Sequence, residues 1–249
     1  MDIRESNRIA SNSFCRHPWE IIRLEFINNI LKKVYRNNSF PSSILDIGAG
    51  DLYISESLST YFSSSKIVSV DTAYERCFDS GKVHVVNSMD SVPNDRYSLI
   101  LLLDVLEHIN DDVGFLSSLV KRFSSSNTIF LIAVPLHPSL FSEHDINLGH
   151  RRRYTYSELL SRMEETGLNI INSGNLFSSL FIFRMLQVIF GKVFRKLRPG
   201  YKGSSFADVA AWNHSALLTT IVRTLLRFDV KIANKLPGLS GYVLASACR

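Results

Sequence analysis

Cysteine is scarce in this chain of 249 residues, with three in all, at Cys15, Cys77 and Cys248. They are scattered, odd in number and form no CxxC pair, which argues against a disulfide framework or a zinc-ribbon site and fits a reducing compartment. Long apolar runs are missing too. No uninterrupted stretch reaches the roughly 18 apolar residues that a membrane-spanning helix requires. Met1 to Asn12 is polar and charged, which predicts no signal peptide. Internal repeats are absent. At 45% hydrophobic residues the chain is nonetheless rich enough to fill the core of one sizeable α/β domain.

Excess charge of one sign is confined to one segment. Between Leu176 and Leu236 ten Lys or Arg stand against Asp208 and Asp229, a local balance of +8 in a chain whose net charge is +5. That asymmetry predicts an anionic surface or partner near this segment.

The organising stretch runs from Ser43 to Tyr53, SILDIGAGDLY. Ile44, Leu45 and Ile47 suit a buried strand, and Gly48 and Gly50 let the backbone turn sharply into a helix. Open α/β sheets bind nucleotides at the carboxyl end of such a strand. A dinucleotide turn would place a third small residue three positions after Gly50, where Tyr53 stands, so an NAD reading is disfavoured. Asp46 followed by Gly-Ala-Gly instead suits a cationic, phosphate-free ligand such as the amino group and sulfonium of S-adenosylmethionine. The pattern resembles the first motif of the class I, Rossmann-like S-adenosylmethionine-dependent methyltransferases.

Later stretches extend the resemblance. The strand Lys66–Val70 ends at Asp71, 25 positions after Asp46, where a nucleotide-binding βαβ unit puts the acid that meets ribose hydroxyls. Val83–Val86 leads into Ser88, Met89 and Asp90, where the family's chain passes the adenine. Leu99–Leu103 reads as a central strand buried on both faces. It runs into Asp104-Val105-Leu106-Glu107-His108-Ile109, which is similar to the fourth motif of small-molecule methyltransferases of the ubiquinone type. The resemblance implies a cofactor site of Asp46, Gly48, Ala49, Gly50, Asp71, Thr72, Ser88, Met89, Asp104, Val105 and Glu107, with S-adenosylmethionine as cofactor. It covers about His17 to Gly174 and extends into the C-terminal tail.

The loop from Leu136 to Thr155 is the most unusual run, with His137, His144 and His150 and the consecutive Arg151, Arg152 and Arg153. Its His-Asp…Gly-His-x-Arg-Tyr arrangement resembles a loop in a branch of these enzymes that accompanies cell-envelope or polysaccharide synthesis. Three readings stay open. His144 or His150, oriented by Asp145, takes a proton from an acceptor hydroxyl, with His108 as a further candidate base. Alternatively, Arg151, Arg152, Arg153 and Tyr154 bind an anionic acceptor through forked hydrogen bonds. A metal on His144, Asp145 and His150 has least support, since no second ligand cluster accompanies them, and no metal is expected.

The expected fold is a Rossmann-like, seven-stranded, mostly parallel sheet with helices on both faces and a helical insertion before the last strand. Residues 1–40 form an arm and a covering helix, 41–174 the cofactor-binding core, 175–240 the insertion and 241–249 the last strand, all within one domain. Apolar residues from Ile21 to Val34 put a helix over the sheet, from which Trp19, Glu20 or Arg23 could close over the cofactor. Aromatic residues beside Lys and Arg in 176–236 give either a helical cap or a lipid-facing surface. The chain is expected to be a cytoplasmic enzyme, either free or at the inner face of the membrane, that methylates oxygen in a small-molecule, glycan or lipid-linked acceptor. The alternative is a non-catalytic partner with the same fold in a membrane-associated complex; nucleic acid is disfavoured as a partner.

Overall fold

The computed structural model describes residues 16–35, 40–197, 215–231 and 236–247, with side chains to residue 190 in the second of these segments. Cys15, Cys248 and the arm before Arg16 lie outside the described residues, as do Arg198, Lys202, Asp208 and Lys235; Cys77 is exposed.

The chain begins with helix α1 (Pro18–Val34), whose first turn holds Pro18 and whose Ile22, Phe26, Ile27, Ile30 and Leu31 are buried. Strand β1 (Ser43–Ile47), helix α2 (Tyr53–Tyr61) and β2 (Lys66–Val70) make the first βαβ unit. Then follow β3 (Phe78–Ser80), β4 (Val83–Val86), β5 (Leu99–Leu103), α3 (Asp112–Phe123) and β6 (Ile129–Pro135). The remainder is α4 (Glu143–Asn147), α5 (Tyr156–Glu165), β7 (Leu168–Leu176), α6 (Ser178–Leu197), α7 (Ala216–Lys231) and β8 (Ser240–Ala247).

The strands form one sheet in the order β3-β4-β2-β1-β5-β6-β8-β7. β4, β2, β1, β5 and β6 are parallel, and β8 enters antiparallel between β6 and β7. The strand order reverses between β1 and β5, so a crevice opens at their carboxyl ends. The seven expected strands are all present, and the short antiparallel β3 adds an eighth at the β4 edge.

Two apolar layers sandwich the sheet. On one face α3 and α5 contribute Leu116, Leu119, Phe123, Leu159 and Met163. On the other lie α1, α2 and α7, through Ile27, Leu31, Leu58 and Leu226. Ile100, Leu101 and Leu102 have no exposed surface, as a strand covered on both faces requires.

Two element boundaries differ from the sequence reading. β7 reaches Leu176 rather than Ile171, because a bulge between Ile170 and Asn172 restores its pairing with β8. The helix expected from Leu176 therefore starts at Ser178, after Phe177 in the left-handed region. The second insertion helix is described to Lys231, and 232–235, where the expected helix continues, lie outside the described residues. The expected α5 capping box is present: Glu158 N–H donates to Thr155 Oγ1 at 3.2 Å and Thr155 N–H to Glu158 Oε2 at 2.7 Å.

Candidate active site

At the tip of β1 the chain turns through Gly48 and Gly50, at φ +72° and +56°, conformations that disfavour side chains. At Gly48 space also forbids one, because a Cβ there would come within 2.6 Å of Val105 Cγ2. The glycine turn thus packs directly against the turn after β5, joining the two motifs that the sequence places 50 residues apart.

Asp46 lies at the floor, 2% exposed. Ser55 Oγ donates to its carboxylate and lies 2.7 Å from Ser69 Oγ. Burial pushes the Asp46 carboxyl up to about 6, against the opposing pull of the Ser55 hydrogen bond and the Arg23 charge. Asp71 grips the turn itself, accepting from Gly50 N–H at 3.0 Å and Ala73 N–H at 2.9 Å. A carboxylate has about four acceptor positions, so this leaves capacity for further donors.

Trp19, Glu20 and Arg23 of α1 line the same recess as Asp46, Gly48 and Ala49. The helix therefore both covers the sheet and walls the crevice. Arg23 pairs with the carboxylate of Asp104, which sits in the left-handed region at φ +59°. Arg16 holds the neighbouring rim, 2.8 Å from Asp51 and with its guanidinium 3.7 Å from the centre of the Tyr53 ring. Ser55 and Ser69 were missed in the sequence, since a buried serine partner for Asp46 leaves no periodic signal.

The adenine-side candidates lie along the turn after β4. Ser88 caps the short turn Met89–Ser91, and the Met89 carbonyl accepts from Arg122 Nη1 at 3.0 Å. Thr72 and Asp90 are exposed.

The turn after β5 and the histidine loop meet. Glu107 is fully buried, yet neither carboxylate oxygen has a hydrogen-bond partner among the described residues. Burial, reinforced by the Asp104 charge, holds its carboxyl well above the usual range. His150 bridges the two segments: Nδ1 lies 3.1 Å from Asp145 Oδ1, and Nε2 lies 3.9 Å from Glu107 Oε1. His108 stands edge-on to His150 at 4.9 Å between ring centres, with Nδ1 3.1 Å from the Gly149 carbonyl. For His144, burial followed by the positive charge of Arg184 lowers the pKa.

The arginine run works largely within the chain. Arg153 is buried, donating to Asp145 Oδ1 at 2.7 Å and the Leu136 carbonyl at 3.1 Å. Burial alone would raise the Asp145 carboxyl, but the His150 hydrogen bond and the Arg153 guanidinium hold it well below the usual carboxylate range. Arg152 donates to the carbonyls of Ile109 and Asn110, and Arg151 to that of His108. Tyr154 is buried with its hydroxyl 2.8 Å from Asp112, and burial and that carboxylate raise its pKa. Arg151 and Arg152 therefore fasten the loop to the turn after β5, Tyr154 fastens it to the start of α3 and Arg153 ties it to itself, an arrangement their sequence spacing does not disclose.

A methyltransferase-domain family profile matches residues 19–173, more than half of the chain. The chain belongs to the methyltransferase-domain family. Its fold is that of the class I S-adenosylmethionine-dependent methyltransferases, and the matched residues carry both the glycine turn and the turn after β5. The family assignment makes the chain an S-adenosylmethionine-dependent methyltransferase.

Solved methyltransferases share the fold. The plantazolicin methyltransferase BpumL, in complex with a monoazolic desmethylPZN analog and SAH, is 16% identical with a TM-score of 0.56, over 93% of this chain and 85% of that one. A SAM-dependent methyltransferase from Archaeoglobus fulgidus is 16% identical with a TM-score of 0.51, over 90% and 94%. A Haloferax volcanii complex of the Trm112 methyltransferase activator and a putative methyltransferase matches at 12% identity and a TM-score of 0.55, over 92% and 91%. No curated protein sequence matches the chain. The chemistry of the recess fits the cofactor: Asp46, Glu20 and Asp51 offer anionic charge to an ammonium and a sulfonium, Arg23 offers a guanidinium to a carboxylate, and Trp19 offers an aromatic wall.

Proposed function

We propose that this methyltransferase transfers a methyl group to a hydroxyl oxygen of a small-molecule, glycan or lipid-linked acceptor. The observation that carries the reading is the convergence of Glu107, His108 and the Asp145–His150 pair on the turn that packs against the glycine loop. An alcohol is a poor nucleophile until its proton has somewhere to go, and an imidazole held by a carboxylate is suited to receive it.

S-adenosylmethionine, when bound, supplies an electrophilic methyl carbon on a positively charged sulfur. Asp46 and the Gly48–Gly50 turn would hold its amino-acid end, Arg23 exchanging Asp104 for the incoming carboxylate, and Asp71 the ribose. Ser88 and Met89 would border the adenine. His150, its orientation fixed by Asp145, would stand at the acceptor oxygen and draw off the proton. Most of the rate then comes from alignment of oxygen and methyl carbon.

An amphiphilic acceptor is supported by the faces of α6 and α7 that carry exposed Ile182, Phe183, Phe190, Leu225 and Phe228. α6 abuts the histidine loop, since Phe181 stacks on His137 at 4.3 Å and Arg184 donates to Ser142 at 2.5 Å. Among the described residues no helix is long and apolar enough to cross a membrane, so contact with lipid through these faces would be peripheral.

The test is incubation with methyl-labelled donor and fractionated lipid, sugar and phenol extracts. Label in an alkali-stable methyl ether of a hydroxylated acceptor supports the proposal. Label on nitrogen, or in no fraction from a protein that binds the donor, contradicts it.

A further inference from the structure

The consecutive arginines of the histidine loop are engaged within the chain, Arg153 by Asp145 and the Leu136 carbonyl, Arg151 and Arg152 by carbonyls after β5. Arg184, on the insertion helix α6, is placed differently. It reaches across to the loop, where Nη2 donates to Ser142 Oγ at 2.5 Å, and Nη1 donates to Gln187 Oε1 of its own helix at 3.3 Å. Both partners are neutral, and among the described residues no carboxylate forms an ion pair with this half-buried guanidinium. A guanidinium has more N–H donors than these two contacts use.

The charges around Arg184 do not balance. Arg153 and Asp145 are the charged groups it feels, and Asp145 is already committed to Arg153 and His150. Two guanidinium groups and one carboxylate leave one positive charge in excess where burial makes an unmatched cation costly. Ser142 also joins this cation to the proposed base: its Oγ donates to Asp145 Oδ2 at 3.2 Å, and Asp145 Oδ1 lies 3.1 Å from His150 Nδ1. The guanidinium therefore stands one hydroxyl and one carboxylate away from the imidazole that takes the acceptor's proton. On the same helix Phe183, Leu186 and Phe190 are exposed, so an apolar surface adjoins the cation.

We infer that Arg184 binds a phosphate group of the acceptor and so restricts the enzyme to phosphate-bearing hydroxyl compounds. This deepens the proposed function and rests on it, with the phosphate held beside the hydroxyl that His150 deprotonates. A phosphate diester carries the single negative charge that the excess calls for. Its oxygens point in several directions, so one can meet the Arg184 fork while another accepts from the Ser142 hydroxyl. That hydroxyl can turn away from Asp145 at little cost, because the Ser142 N–H still donates to Asp145 Oδ2 at 3.0 Å. A planar carboxylate would satisfy the fork alone. Lipid phosphates and water-soluble phosphate esters share the chemistry, and the exposed apolar side chains beside Arg184 suit the former.

The experiment measures by calorimetry the binding of octyl phosphate, glycerol 1-phosphate, octanoate and octyl glucoside, each below its micellar concentration, to the full chain and to Arg184→Gln. At least one phosphate should bind saturably, at least tenfold tighter than octanoate and octyl glucoside. Arg184→Gln should weaken it at least tenfold and leave the affinity for S-adenosylmethionine within twofold of the parent. A preference for octyl phosphate over glycerol 1-phosphate assigns the group to a lipid, and equal affinities assign it to a water-soluble acceptor. No saturable phosphate binding by the parent, octanoate bound as tightly, or a loss of less than tenfold in folded Arg184→Gln would overturn the inference. If circular dichroism shows that Arg184→Gln has not folded, Arg184→Lys decides: it keeps the charge without the fork, and an unchanged phosphate affinity there would overturn the inference. Phosphatase treatment of the acceptor extracts before labelling separates this inference from the reading beneath it. A methyl ether formed as readily after treatment removes the phosphate site and keeps methylation of oxygen. Phosphate binding lost in Arg184→Gln, beside label found only on nitrogen, keeps the site and removes the hydroxyl.

Discussion

Arg153 and His150 share one oxygen: Nε of the arginine lies 2.7 Å and Nδ1 of the histidine 3.1 Å from Oδ1 of Asp145. One buried carboxylate thus anchors the loop and orients the imidazole at the tip of β5. Removing its charge leaves a buried guanidinium unpaired, which is worth about 3–5 kcal/mol. Asp145→Asn is expected to lower the thermal midpoint. In the folded fraction it should reduce kcat by more than tenfold while the affinity for S-adenosylmethionine changes little, as turnover assays and calorimetry at a temperature below the transition would show.

The same carboxylate has its pKa lowered by folding, so the sign is that of a paired acid. Its stabilisation is present above the unfolded value of about 3.9 and is lost as pH falls below it. Urea midpoints measured from pH 7 to pH 3 should drop in the parent protein, and drop less in Asp145→Asn.

Asp46 works in the opposite sense. Its folded value of about 6 exceeds the ordinary 3.8, so its contribution to stability is full below about pH 4 and is lost as pH rises through 6. Binding a cation needs the ionised form. Affinity for S-adenosylmethionine should therefore weaken roughly tenfold per pH unit below 6 and level off above 7, a dependence that Asp46→Asn removes along with most of the affinity.

Tyr154 separates a structural role from an acceptor-binding one. Its hydroxyl is buried against Asp112, so Tyr154→Phe should cost about 1–3 kcal/mol by chemical denaturation. KM for the acceptor should stay the same; a rise in KM without loss of stability would return the tyrosine to the substrate site.

Exposed aromatic residues on α6 and α7 make the lipid contact testable. Phe183→Glu with Phe228→Glu should abolish co-flotation with anionic vesicles, leaving the thermal midpoint and donor affinity unchanged, because both side chains are more than half exposed.

The central strands and the cofactor crevice were legible because their signals are local. Leu99–Leu103 is an unbroken apolar run ending in an acid, and Gly48 and Gly50 declare a turn that side chains would obstruct. The long-range geometry was hidden. Nothing in the spacing reveals that His150 crosses 43 positions to reach Glu107, that Arg152 is consumed by carbonyls after β5, or that Arg153 is consumed by a carboxylate and a carbonyl of its own loop. The β7 bulge was equally invisible, since Asn169, Asn172 and Asn175 are poor strand formers that the pairing with β8 overrides.

Calorimetric titration of S-adenosylmethionine into the parent protein and Gly48→Ala bears most directly on the account. Saturable binding at one site per chain is predicted, weakened more than tenfold in folded Gly48→Ala, whose new Cβ collides with Val105 and strains the turn. Well-folded parent protein that takes up no S-adenosylmethionine, or a Gly48→Ala variant that binds it as tightly as the parent, would contradict the assignment of this crevice as the donor site.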